Sequence, residues 1–131
     1  MLQTVLVAED DVMVRNILVK ILFHQNYDVL EADNAVEALQ LSRGFDGIIH
    51  LLVANESLKT LRARELFEQL QQSRPDLKVL QISGHPFRTL ERRQALIPGA
   101  EFLQKPFRAQ VLADRVSRML GSPNKVMTQA G

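Results

Sequence analysis

Five short apolar runs, each followed by apolar residues at helical spacing, restrict this chain to a small set of folds. The runs are Thr4–Ala8, Tyr27–Glu31, Ile48–Ala54, Lys78–Ile82 and Ala100–Leu103. Strand-length runs alternating with helices are the pattern of βα units, whose strands lie parallel and need a helix for every crossover. The third and fourth runs carry few charges, as central strands covered on both faces should.

The helices follow from the spacing. Val14, Ile17, Leu18, Ile21 and Leu22 mark the first. Ala35, Ala38, Leu39 and Ser42 mark the second, capped by Asp33 or Asn34. Ala63, Leu66, Phe67 and Leu70 mark the third, stopped by Arg74-Pro75-Asp76. Leu90 to Leu96 is a fourth whose stripe is broken by Glu91, Arg92 and Arg93. Leu112, Val116, Met119 and Leu120 form the last, ended by Gly121 and Pro123. The expected architecture is (βα)5 in one domain, residues 1–121, with a disordered tail over 122–131 and no output domain behind it. In such a sheet, ligands bind outside the carboxyl ends of the strands.

Composition removes several classes of function. At 131 residues, 46% hydrophobic and with a net charge of +1, the chain is an ordinary globular domain with no global pull toward nucleic acid or an anionic membrane. It has no cysteine, so disulfides and thiolate metal sites are excluded. Val5 to Ala8 is too short for a signal peptide core or a membrane span, and a cytoplasmic location is expected. His24 and His85 are not spaced with other ligands, which speaks against zinc, and His50 is expected as a hydrogen-bonded core histidine. No Ser-His-Asp arrangement suggests an independent enzyme. A nucleotide or flavin site would need a Gly- or Ser/Thr-rich first βα turn, but Glu9-Asp10-Asp11 stands there and would repel phosphate.

The uncommon residues gather at the predicted strand ends. Val5-Leu6-Val7-Ala8-Glu9-Asp10-Asp11 is an apolar strand running into acids. Ser83-Gly84 closes the fourth strand, and Phe102 through Lys105-Pro106 closes the fifth. From Asp10 to Asn55 is 45 residues, from Asn55 to Ser83 is 28, and from Ser83 to Lys105 is 22. With these spacings, residues 4–120 resemble the receiver domain of response regulators, the phospho-accepting module of bacterial two-component and phosphorelay signalling. The resemblance implies a flavodoxin-like, doubly wound sheet in the order 2-1-3-4-5 with helices on both faces.

Two registers can be written for the third strand. Counting from Phe45-Asp46 puts Leu51 at the acceptor position but needs an insertion before Arg64-Glu65-Leu66. Taking His50 through Asn55 as the strand needs no gap and puts Asn55 there, the register adopted here. In neither is the acceptor an aspartate.

In the family, the acidic pair and the acceptor carboxylate hold Mg2+, a hard cation that prefers oxygen. The acceptor attacks the phosphoryl group, a lysine neutralises the growing charge, and a hydroxyl binds the product. The resemblance assigns Glu9 and Asp10 to the metal-side acids, with the Ser57 carbonyl as a further ligand. It makes Ser83 the switch hydroxyl, Phe102 the switch aromatic and Lys105 the phosphate-side cation. Asn55 breaks the scheme, because an amide cannot form a stable acyl phosphate. Metal binding should be weak at most, no cofactor is required, and Lys105 is expected to pair with Glu9 or Asp10. Asp10 or Asp11 could instead simply cap the first helix. The loop Glu56–Arg62 lacks the family's proline and glycine, with Lys59 and Ala63 at those places, and leaves the third helix free to begin early.

The expected function is a degenerate receiver, a pseudo-receiver working by protein contact with a histidine kinase, a phosphotransfer protein or an output protein, with a homodimer left open. Phe87, Arg92 and Phe102 would carry the contact, within a basic neighbourhood that includes Arg88, Arg93 and Arg108. The alternative is a receiver still switched by phosphorylation of Asp10 or Ser57.

Overall fold

The computed structural model describes residues 2–58 and 61–121. Strands β1 (Thr4–Ala8), β2 (Asp28–Ala32), β3 (Leu51–Asn55), β4 (Lys78–Ser83) and β5 (Glu101–Gln104) alternate with helices α1 (Val12–His24), α2 (Ala35–Gly44), α3 (Ala63–Ser73), α4 (Phe87–Arg92) and α5 (Ala109–Leu120). All four strand pairings are parallel, in the order β2-β1-β3-β4-β5. The expected tail lies outside the described residues.

Strand alternation divides the core into two layers. Leu6, Ala8, Leu52 and Ala54 face one way and pack with Leu66, Phe67 and Leu70 of α3. Val5, Val7, Leu51 and Val53 face the other way and pack with Leu18 and Leu22 of α1 and Leu112 and Val116 of α5. Leu51 through Ala54 are fully buried, as a central strand covered on both faces requires.

Local chemistry sets the element ends. Asn34 caps α2 by accepting from the Glu37 N–H at 2.9 Å, and Glu37 reaches back to the Asp33 N–H at 2.9 Å. Gly121 closes α5 in the left-handed region, at φ 78°. Arg74, just past α3, donates to Ser42 Oγ and to the carbonyls of Ser42, Phe45 and Gly47, tying down the end of α2.

Four expectations need correction. The strand expected from Ile48 begins at Leu51, because Ile48 is exposed and the His50 ring enters the ladder: its Nδ1 accepts the Thr4 N–H at 3.0 Å. His50 is hydrogen-bonded as expected, but half-buried at the strand's start and not in the core. The fourth helix runs over Phe87–Arg92, earlier than Leu90–Leu96. It stops because Gln94 turns left-handed at φ 56° and Gln81 of β4, fully buried, captures the next segment. Gln81 Nε2 donates to the Ala95 carbonyl at 2.8 Å, and its Oε1 accepts the Ile97 N–H at 3.0 Å. The third helix does not begin early: Ser57 and Arg62 form an isolated antiparallel bridge, and α3 starts at Ala63.

Candidate functional site

At the carboxyl edge of the sheet, the chain leaves β1 through Glu9, Asp10 and Asp11. Their roles separate. Asp11 caps α1, its Oδ1 accepting the N–H groups of Met13 and Val14 at 2.9 and 3.1 Å. That leaves Asp10 free to face β3. Glu9 is fully buried, with Oε2 accepting the Asp11 N–H at 3.1 Å and Oε1 paired with Lys105 Nζ at 3.1 Å. Burial pushes the Glu9 carboxyl above its ordinary range. The Asp11 N–H pulls it down, the Asp10 carboxyl beside it pushes it up, and Lys105 pulls it down without cancelling the rise. Arg15 braces the turn from α1 by donating to the Glu9 carbonyl at 2.8 Å.

Asn55 ends β3 next to Asp10, whereas Leu51 lies buried at the strand's opposite end. The Asn55 Nδ2 donates to Asp10 Oδ1 at 3.3 Å and to the Ser57 carbonyl at 3.0 Å. Both partners are pure acceptors, so the nitrogen and not the oxygen must face them. Ser83 ends β4 one residue after Ile82, the pairing partner of Asn55. Its buried hydroxyl oxygen accepts the His85 N–H at 3.0 Å, and its carbonyl accepts the Lys105 N–H at 2.7 Å. The Lys105–Pro106 peptide bond is cis.

Glu9, Asp10, Asn55, Ser57, Ser83 and Lys105 thus share one edge of the sheet. Of the expected contact residues, Phe87 and Arg92 belong to α4 and Phe102 to β5. The rings of Phe87 and Phe102 meet edge-to-face at 5.6 Å and 77°. Phe87 is 47% exposed, and Arg88, Arg92 and Arg93 stand exposed with no ion pair among the described residues. From α5, Arg115 donates to the Phe102 carbonyl at 2.7 Å. The sequence reading missed Gln81, which ties β4 to the segment between α4 and β5. A polar residue inside an otherwise apolar strand was the only signal it offered.

The oxygens that a hard cation would need are largely engaged already, and one carboxylate of the family's set is an amide. Both Glu9 oxygens, one Asp10 oxygen and the Ser57 carbonyl already accept hydrogen bonds, the last two from the Asn55 amide. The residues present do not fit the family's Mg2+ site. Among the described residues, no group of three or more His, Cys, Asp or Glu side chains could hold a metal ion, and no helix is long and apolar enough to cross a membrane.

Comparison with known proteins places this geometry. The sensor kinase CckA of Brucella abortus (strain 2308) is 32% identical over 117 residues, 89% of this chain but only 12% of that protein. The response regulator receiver protein CpdR of the same organism is 29% identical over 119 residues, 91% of this chain and 98% of its own. The crystal structure of the receiver domain from the hybrid histidine kinase CckA superposes with a TM-score of 0.76 at 28% identity, covering 89% of this chain and 98% of that one. The family model for the response regulator receiver domain matches residues 5–117, a span that holds the five strands except Thr4 and the whole carboxyl-edge cluster. By sequence match and by strand order alike, the chain belongs to the response regulator receiver domain family.

Proposed function

We propose that this receiver domain signals by protein contact and takes no phosphoryl group at Asn55. The observation that carries the reading is the Asn55 amide at the end of β3, donating to Asp10 and to the Ser57 carbonyl. The amide nitrogen's lone pair is delocalised into its carbonyl and is not offered to a phosphorus atom, and the amide oxygen cannot form a stable acyl phosphate. Lys105, paired with buried Glu9, is engaged before any phosphodonor arrives.

The working face on this reading is α4, β5 and α5. An exposed aromatic on a helix that also carries exposed arginines, without an ion pair among the described residues, suits an acidic protein segment with an apolar anchor. The relatives are receivers of sensor kinases and response regulators, which supports a protein partner within a signalling pathway. No independent catalytic activity is assigned to the domain.

The test is intact mass after incubation with Mg2+ and a small-molecule phosphodonor, with Asn55→Asp alongside. The expected result is no adduct on the native chain and one phosphoryl group on the variant. An adduct on the native chain would refute the proposal and move the acceptor to Asp10 or Ser57.

A further inference from the structure

We infer that the Asn55 amide stands in for a cation, so that the pocket keeps one state whether or not Mg2+ is present. Asp10 Oδ1 and the Ser57 carbonyl are lone-pair groups that converge on one nitrogen, at 3.3 and 3.0 Å. A primary amide has two N–H bonds, and two acceptors use both. The electropositive hydrogens supply in place what a metal ion would supply from solution.

An asparagine can also offer its oxygen to a cation, so the two arrangements compete within one side chain. Mg2+ demands near-octahedral oxygens at about 2.0–2.1 Å. To provide one, the amide must turn over, which breaks both of its hydrogen bonds and leaves the ion to satisfy Asp10 and the Ser57 carbonyl in its place. Glu9 adds little, since Lys105 already offsets its charge through one oxygen and the Asp11 N–H engages the other. Asp10 is then the acid of the cluster whose charge Lys105 does not offset. Divalent affinity falls with each charge removed from the ligand set, so the donor arrangement wins.

This inference rests on the receiver reading of the pocket, but not on the choice of docking face, and the two fail separately. Loss of partner binding in Asn55→Ala would refute contact signalling independent of the pocket, without touching the cation argument.

The experiment uses the full 15N-labelled chain, with Mn2+ as a paramagnetic probe and Mg2+ in a parallel thermal titration. In the native chain, the backbone amides of Glu9, Asp10, Asn55 and Ser57 should broaden no more than those of exposed surface acids. Mg2+ at about 10 mM should move Tm by less than about 1 °C in the native chain, against a rise of about 5 °C for a millimolar site in Asn55→Asp. Selective broadening of the pocket amides in the native chain would overturn the inference. So would an Asn55→Asp variant as silent as the native chain, because the amide would then not be what keeps the ion out.

Discussion

Replacing Lys105 with methionine should destabilise the domain by an amount that grows with pH. Methionine keeps most of the apolar stem and removes the charge that faces Glu9, a fully buried carboxylate. Breaking a buried pair by deleting one partner costs about 3–5 kcal/mol. Here the Lys105 side chain is 22% exposed and the pair is partly screened, so about 2–3 kcal/mol is expected at pH 7.5. The sign of the pH dependence follows from Glu9. Its folded carboxyl titrates above the ordinary value of 4.5, so the native state holds a proton more tightly than the unfolded chain. That contribution to stability is fully present below 4.5 and is lost as pH rises through the folded value. Lys105 is one of the influences that lower the folded value, so its removal carries the window to higher pH. Each further unit adds about 1.4 kcal/mol of destabilisation at pH above it. Near pH 4.5, where Glu9 can be protonated in both chains, the loss should shrink to about 1 kcal/mol or less. Urea unfolding of native and Lys105→Met chains at both pH values measures this directly. On a Glu9→Gln background, where no buried charge remains, the lysine replacement should cost under about 1 kcal/mol. Equal losses at the two pH values, or an undiminished loss on the Glu9→Gln background, would refute the reasoning and place the effect in packing.

Gln81→Ala should cost about 2–4 kcal/mol, because it leaves the buried Ala95 carbonyl and Ile97 N–H without partners; equilibrium unfolding reads it, and a loss under about 1 kcal/mol would contradict the assignment. Phe102→Ala or Arg92→Glu should weaken partner binding about 10- to 100-fold by calorimetry, while Asn55→Ala should leave it within about 3-fold. The Arg92→Glu effect should diminish as salt rises, since the side chain is exposed and its field is screened.

The fold was legible where burial dictates sequence. The apolar runs of β1, β3 and β4 and the stripes of α1, α3 and α5 face the core, with Ile17 of α1 exposed as an exception, so the solvent-transfer term that stabilises them is written directly in residue type. Legibility failed where a polar side chain decides an end. The start of β3 depends on a histidine ring standing in for a ladder acceptor, and the end of α4 on the reach of Gln81 from a strand more than ten residues earlier. Periodicity carries no trace of either contact, because both are made by single atoms across the chain. The assignment of Asp11 to the helix cap and Asp10 to the pocket was likewise open, since two adjacent acids fit the cap equally well until the backbone turn is known.

The pocket itself shows how one atom reorganises its neighbours. With an aspartate at position 55, three carboxylates would share the edge with one lysine, and relief from repulsion would require a cation or a proton. The amide removes one charge and adds donors, so Asp10 and the Ser57 carbonyl are satisfied from within the chain. Lys105 is then free to neutralise Glu9, the one acid that cannot reach water. Glu9, Asp10 and Lys105 together carry one net negative charge, which solvent at the half-buried Asp10 can accommodate. Each group has a partner without a metal ion, and the gain from admitting one is correspondingly small. The same substitution that removes the nucleophile therefore also removes the electrostatic demand that would draw in the cation its chemistry needs. On this argument, losing the nucleophile while keeping the cation would require a second change in the pocket, and replacing Lys105, which leaves Glu9 without its counter-charge, is one such change.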